Sequence, residues 1–191
     1  AEIISYAQEF SGLQSLLQQY KDEKDKDKKT KKLEQINEAA AGLISAAPDH
    51  FKNYDKSTDQ EVFAVMTNMY AHKLAAEYQP EYLEKMLSKF DNDYYAFANY
   101  VFSESFLSDE DRVIAFLEDP DLKKINKDPA FTLMQEFMQK MMEASANYKK
   151  SGDEMQTAER LYVKGFREME SDKKFYPDAN STLRFSYGTV K

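Results

Sequence analysis

The sequence predicts an all-α fold, an irregular multi-helix bundle of about seven or eight helices with one β-strand at the C-terminal end. Gly 5 and Pro 5 are low counts, and helix formers such as Lys, Glu, Gln, Met, Leu and Ala are abundant. Apolar residues recur at spacings of three and four along most of the chain, which is the period of a helix face. Only near the C-terminus does this period change to two, as in a strand.

The composition is typical of a folded, highly charged helical protein. The 191 residues are 42% hydrophobic and 31% charged, and a chain of this size buries roughly 70% of its unfolded surface. The net charge of −8 would repel a phosphate backbone, so nucleic acid is not an expected partner. There are no cysteines to form disulfides or thiolate metal sites. No run approaches the length of a membrane span, so membrane insertion is not expected.

The N-terminal part predicts two antiparallel helices. The first runs over Ile3–Tyr20, and the second resumes at Leu33 and is ended or kinked near its close by Pro48. Between them, Lys21–Lys32 holds seven lysines and four acidic residues. We interpret this segment as a solvated helix extension or hairpin tip rather than a basic interaction site.

A third helix is predicted from the capping pattern near residue 57. Ser57 or Thr58 would cap it, Glu61 lies at capping-box distance, and the helix would stop near Gln79. Its buried stripe is predicted to consist of the apolar residues at helical spacing, which are Val62, Val65, Met66, Met69, Tyr70 and Leu74.

Shorter helices follow, each with a start signal from a proline or a capping side chain. The predicted pieces are Glu81–Phe90 after Pro80, Tyr94–Phe106 capped by Asp91 or Asp93, Asp109–Leu117 capped by Ser108, and further helical segments opened by Pro120 and Pro129.

Two final helices are expected from the remaining helical periodicity. The first has a Met-rich face and is predicted to fray over Tyr148–Gly152. That face could be core or an adaptable binding groove, and core is the interpretation we favour; it comprises Met134, Met138, Met141 and Met142. The last helix is predicted over Asp153–Asp172, with inward residues Met155, Ala158, Tyr162, Phe166 and Met169.

The strand is predicted over Ser181–Val190, where polar and apolar residues alternate. A single strand leaves its backbone N–H and C=O groups unpaired. We therefore expect its partners to lie in sequence outside these 191 residues, and the lack of an initiator Met fits a piece of a larger protein.

No catalytic, cofactor-binding or metal-binding residue is predicted. The two histidines, His50 and His72, form no HExxH pattern, and His72 is interpreted as exposed or helix-capping. Asp91–Asp93 lacks the Gly and Glu of a calcium loop and is interpreted as a helix cap. There is no GxSxG elbow and no glycine-rich phosphate loop.

Two segments near the C-terminus carry a family resemblance. Leu161–Met169 reads LYVKGFREM, and Asp172–Gly188 reads DKKFYPDANSTLRFSYG. Together they closely resemble one stretch of the bacterial dipeptidyl-peptidase seven/eleven family of serine exopeptidases, in the chymotrypsin-like clan. More loosely, Phe51–Asp55 and its acidic helical surroundings resemble the helical domain of that family.

The resemblance implies a double β-barrel peptidase with a large helical insertion that caps the cleft and restricts cleavage to N-terminal dipeptides. Residues 1–176 would be this helical cap, and residues 177–191 the return segment and first strand of the adjoining catalytic barrel. The catalytic His and Asp would lie upstream and the Ser downstream, so the fragment alone would be inactive. The matching signature residues are expected to shape the return into the barrel; they are Tyr176, Pro177, Asp178, Asn180 and Arg184.

The resemblance also implies properties of the parent protein. These are a peptide substrate, no cofactor, a homodimeric state, and a periplasmic, cell-surface or secreted location. The alternative is a standalone helical protein-interaction domain whose C-terminal strand adds to the sheet edge of another chain.

Overall fold

The computed structural model describes residues 1–175 and 188–189, and the described part is built from helices. The chain divides into two compact units, Ala1–Ala144 and Ser145–Lys191. The helices are α1 (Glu2–Glu9), α2 (Ser11–Asp22), α3 (Lys26–Phe51), α4 (Lys56–Lys73), α5 (Glu81–Lys89), α6 (Tyr94–Glu104), α7 (Glu110–Glu118), α8 (Leu122–Ile125) and α9 (Pro129–Met169), with 3₁₀ turns at Ala76–Tyr78 and Phe106–Ser108.

The predicted all-α multi-helix fold is confirmed. The predicted strand, Ser181–Val190, lies outside the described residues apart from Gly188 and Thr189. The proposed division into residues 1–176 and 177–191 stays a prediction. None of the helices in the described ranges is both long enough and apolar enough to cross a membrane.

The core of the first unit draws on all of its α-helices, and one part of it is an aromatic cluster where α1, α2, α7 and the second 3₁₀ turn meet. Phe106 stacks on Phe116 with ring centroids 4.2 Å apart, and Phe10 meets Phe106 edge-on at 5.7 Å. Phe10 is fully buried at the joint between α1 and α2. Its N–H donates to Ala7 O at 3.2 Å, a tightened turn that divides the predicted helix Ile3–Tyr20 into two.

The hairpin between α2 and α3 confirms the solvated tip. Every residue over Lys21–Lys32 is exposed or half-buried, and the Asp25 side chain caps α3. The helix does not end at Pro48 and continues to Phe51. Pro48 removes one backbone hydrogen bond, but the preceding residue, Ala47, is fully buried, and packing there supports the continued helix.

Helix α4 differs from the prediction at both ends. Its cap is Asp55, which accepts hydrogen bonds from Thr58 N at 2.7 Å and Ser57 Oγ at 2.8 Å. Neither Ser57 nor Thr58 is the cap, because both donate to the Asp55 carboxylate. The helix ends at Lys73 rather than near Gln79, and the short 3₁₀ turn Ala76–Tyr78 follows.

The predicted buried stripe of α4 is wrong. The residues that α4 buries are Asp59, Phe63, Ala64 and Thr67, on the side that packs along α6. Tyr70 is half-buried, and the other predicted core residues are exposed: Val62, Val65, Met66, Met69 and Leu74. Because α4 is apolar on more than one side, periodicity alone cannot select the buried side.

In the middle of the chain, α5 and α9 begin at the predicted prolines, Pro80 and Pro129, whereas Pro120 does not open a helix, because Asp121 caps α8 instead. Asp93 caps α6 by accepting from Tyr95 N and Ala96 N, both at 2.9 Å. Asp91 is therefore not the cap; it adopts a positive φ of 52°, which short polar residues tolerate in turns. Asp109, not Ser108, caps α7, since the Ser108 hydroxyl is buried and donates to Phe102 O at 2.7 Å.

The second unit contains the part of α9 from Ser145 to Met169. The predicted fraying over Tyr148–Gly152 is wrong, and so is the separate last helix over Asp153–Asp172, because α9 runs as one helix from Pro129 to Met169. The residues predicted to face inward are exposed instead: Met155, Ala158, Tyr162, Phe166 and Met169. Within this unit, Phe166 contacts Phe175 with ring centroids 5.9 Å apart, whereas the described residues provide no core that would bury the whole face.

Candidate functional site

The described residues offer an apolar groove and several buried polar side chains as candidate sites. Within residues 1–175 and 188–189, no group of three His, Asp or Glu side chains is placed to hold a metal ion. The family-signature residues all lie outside the described residues: Tyr176, Pro177, Asp178, Asn180 and Arg184.

The first unit carries an apolar groove. It lies between the start of α1, one side of α4 and the early part of α9, and its volume is about 600 Å³. Its lining is mainly apolar and includes Ile4, Phe63, Met66, Tyr70, Phe137 and Met141. A groove with this lining suits apolar side chains of a peptide or of another protein segment.

Contacts between α4, α9 and the first 3₁₀ turn connect the walls of the groove. Tyr70 packs edge-on against Phe137 at 5.0 Å, and its hydroxyl donates to Tyr78 O at 2.7 Å. Lys140 Nζ donates to Glu77 O at 3.0 Å across the rim. Burial raises the pKa of Tyr70, so its phenol stays protonated and keeps donating this hydrogen bond at neutral pH.

The Met-rich face divides between the two interpretations given by the sequence. Met134 is buried in the core and Met138 is half-buried against it. Met141 lines the groove and is 55% exposed, and Met142 is 67% exposed. The core interpretation is therefore right for the first half of the face, whereas the second half lies at the surface.

His50 belongs to an aromatic cluster between α1 and the end of α3. Its ring stacks on Tyr6 with centroids 3.7 Å apart and meets Phe51 edge-on at 4.8 Å. Among the described residues, His50 Nε2 and Tyr6 Oη are buried without a hydrogen-bond partner. Burial lowers the pKa of His50, against the opposing effect of Glu9, Glu2 and Asp59. The ring is therefore neutral near pH 7 and acts as a packing residue.

His72 is exposed, as predicted. It lies in the last turn of α4, where Nδ1 is 2.9 Å from Asn68 O. Its ring is 5.9 Å from that of Tyr94. This position is typical of a surface histidine at a helix end.

Asp59 is a buried carboxylate that sequence reasoning missed. It is 4% exposed and accepts hydrogen bonds from Glu2 N at 2.5 Å, Ile3 N at 2.8 Å and Tyr54 Oη at 3.3 Å. It thereby caps α1 from a distant helix. No local pattern indicates this, because the residues that it caps lie more than fifty positions away.

Asp128 is the second such carboxylate. It accepts from Ser105 Oγ and Phe106 N at 2.9 Å, and from Ala130 N and Phe131 N at 3.0 Å. Burial raises its pKa, while these hydrogen bonds act in the opposite direction. The Asp-Pro order could have identified the helix cap, but not the link to the distant 3₁₀ turn.

The described part of the chain is thus helical and carries an apolar groove on its first unit. A family model for peptidase S46 matches residues 1–191, and the chain belongs to this family. The resemblance carried by the LYVKGFREM and FYPDANSTLR segments is thus confirmed.

Curated relatives of the chain are dipeptidyl-peptidases. The chain is 29% identical over 168 residues to Dipeptidyl-peptidase 7 of Phocaeicola vulgatus. The matched region covers 88% of this chain and 22% of that relative. The chain is 30% identical over 166 residues to the Asp/Glu-specific dipeptidyl-peptidase of Flavobacterium psychrophilum, with coverage of 85% and 22%. The Dipeptidyl-peptidase 7 of Porphyromonas gingivalis is 29% identical over 159 residues, with coverage of 81% and 22%. The chain spans about a fifth of the length of these relatives.

Proposed function

We propose that this chain is the helical cap domain of a bacterial serine-type dipeptidyl-peptidase that releases N-terminal dipeptides from oligopeptides. The observation that carries the proposal is the peptidase S46 match over the whole chain, together with relatives named as dipeptidyl-peptidases of which the chain covers 22%. A domain of this relative size leaves ample room for a catalytic region elsewhere in the parent.

In this proposal the cap restricts access to the active-site cleft, and the chemistry belongs to the rest of the parent polypeptide. There, a Ser would attack the peptide carbonyl, a His would accept its proton, and an Asp would orient that His. The isolated chain would be inactive. The apolar groove and the exposed apolar residues support a role in contact with substrate or with the neighbouring domain.

The location and assembly of the parent are proposed on the family resemblance alone. We infer a periplasmic, cell-surface or secreted enzyme that forms a homodimer. Fractionation of the native cells, and the mass of the purified parent in dilute solution, test these two points separately.

Removal of the cap tests its role directly. In the complete protein, residues 1–175 are replaced by a short flexible linker, and two substrates are compared: a dipeptidyl coumarylamide with a free amine and the same compound with a blocked amine. We expect the capless protein to gain activity on the blocked substrate relative to the free one. An unchanged ratio, in a variant whose active-site Ser still reacts with a fluorophosphonate probe, would contradict a restricting cap.

The open reading frame that contains these 191 residues distinguishes the proposal from the alternative of a standalone interaction domain. A His-containing barrel upstream and a Gly-x-Ser-Gly segment downstream are expected. A start and a stop codon directly flanking these 191 residues would instead favour the standalone domain.

A further inference from the structure

The second unit exposes a regular apolar stripe along α9. The stripe comprises residues at alternating spacings of three and four, namely Met155, Ala158, Tyr162, Gly165 and Met169. Met155 is 64% exposed, Tyr162 72% and Met169 84%. This spacing is the heptad seam by which one helix packs along another, and so much contiguous exposed apolar surface indicates an interaction site.

Large and small residues alternate along the stripe. Gly165 stands between Tyr162 and Met169, and a Cβ added to it would meet no atom within 4 Å. Gly disfavours a helix interior, and at position 165 the lack of a side chain leaves room on the seam for another backbone to approach closely. Beside the seam, Tyr162, Phe166 and Phe175 border a cavity of about 250 Å³ that can receive an apolar side chain.

The charges beside the stripe define what can pack on it. Over residues 152–168 the positions that flank the heptad seam carry three glutamates, Glu154, Glu159 and Glu168, beside Gly152, Leu161 and Phe166, and none carries Lys or Arg. Glu168 already lies 3.8 Å from Lys164 of the same helix. In a parallel second copy of the helix, Glu154 would face Glu159, which disfavours self-pairing. A helix with Lys or Arg at its own flanking positions would be complementary.

We propose that the stripe is the docking surface for an amphipathic helix from the remainder of the parent polypeptide. That helix would place large apolar residues over Ala158 and Gly165 and basic residues beside the glutamates. The inference rests on the proposed function in one respect, that the parent is a longer chain. The relatives support this, since the chain covers only 22% of their length.

The absence of cysteine from all 191 residues allows a direct test by thiol labelling. Single cysteines are placed on the stripe, Tyr162→Cys and Met169→Cys, and on the opposite side of the helix, Arg160→Cys as a matched control. Their labelling rates with a maleimide are compared in the isolated chain and in the complete protein freed of other cysteines. We expect labelling of the stripe to be at least about tenfold slower in the complete protein, with the control unchanged.

Two further variants test the chemistry of the partner. Gly165→Leu blocks a close approach and should restore fast labelling of Met169→Cys in the complete protein, while leaving the isolated chain unaffected. The double variant Glu154→Lys, Glu159→Lys should also speed labelling, because it would place like charges against a basic partner. Labelling that these variants do not change would contradict the proposed partner.

Other outcomes overturn the proposal in distinguishable ways. Equal protection of the stripe and of Arg160→Cys, or no protection at either, shows that no helix docks there. Protection that disappears on dilution shows that a second copy covers the stripe. Dipeptidyl-peptidase activity is measured on the same samples: activity without protection rejects the docking surface alone, whereas protection without activity rejects the proposed function alone.

Discussion

At the scale of single residues, Asp59 and Asp128 each join the start of one helix to a distant segment. Both are almost completely buried, and each satisfies backbone N–H groups that would otherwise lack a partner. In sequence, a buried Asp cannot be told from an exposed helix cap, because the difference lies in contacts made across the fold. These anchors were therefore beyond prediction, although the cap at Asp93 was predictable from its local pattern.

Replacement of Asp128 should destabilise the first unit strongly. In Asp128→Ala, four donors lose their acceptor inside the protein, and we expect a loss of about 3 kcal/mol in the free energy of unfolding. Urea denaturation followed by circular dichroism measures it. The matched control is Asp93→Ala, an exposed cap that also accepts two backbone N–H groups, with an expected loss of about 1 kcal/mol. Equal losses would show that the buried links contribute nothing extra.

His50 should make stability depend on pH. Its pKa is lowered in the folded chain, mainly by burial, so the unfolded chain binds a proton more readily below about pH 6.5. The free energy of unfolding should fall as the pH decreases from about 6.5 toward the lowered pKa of the folded state. Urea midpoints measured between about pH 8 and pH 5 report this.

His50→Phe keeps an aromatic ring beside Tyr6 and removes the titrating group. We expect the free energy of unfolding of this variant to fall less between about pH 6.5 and pH 5 than that of the unsubstituted chain. His72→Phe controls for removal of an exposed histidine. If the urea midpoints of His50→Phe changed with pH as those of the unsubstituted chain do, protonation of His50 would not be coupled to folding.

At the scale of elements, the sequence predicts where helices start better than which side they bury. Prolines and capping side chains act locally, so α5 and α6 begin where their signals indicate. Burial depends on neighbours, and α4 has apolar residues on the side that packs along α6 and also on the exposed side. The same holds for α9, whose seam is regular in sequence and solvent-facing in the described part of the chain.

Substitutions on α4 distinguish its two sides. Phe63 is 2% exposed and contacts Phe97 and Phe102 with ring centroids 5.8 Å apart. Phe63→Ala should therefore cost about 3–4 kcal/mol of unfolding free energy. Val65→Ala, on the exposed side, should change it by less than about 0.5 kcal/mol. The reverse order in chemical denaturation would support the stripe expected from periodicity.

At the scale of the whole molecule, the chain is a helical member of the peptidase S46 family that spans about a fifth of its curated relatives. The all-α class could be predicted because composition and period agree over nearly the whole length. The family could be predicted because the segment FYPDANSTLR resembles a stretch of that family and is not a run that helix propensity alone would produce. The functional surfaces could not, because grooves and seams depend on which helix faces remain uncovered.

We propose that this chain is a non-catalytic part of a serine-type dipeptidyl-peptidase. Hydrolysis of dipeptidyl coumarylamides by the purified 191-residue chain and by the complete protein, each with and without a fluorophosphonate inhibitor, tests this proposal. We expect no release of coumarin by the chain alone, and release by the complete protein that the inhibitor abolishes. Inhibitor-sensitive release by the 191-residue chain alone would contradict it.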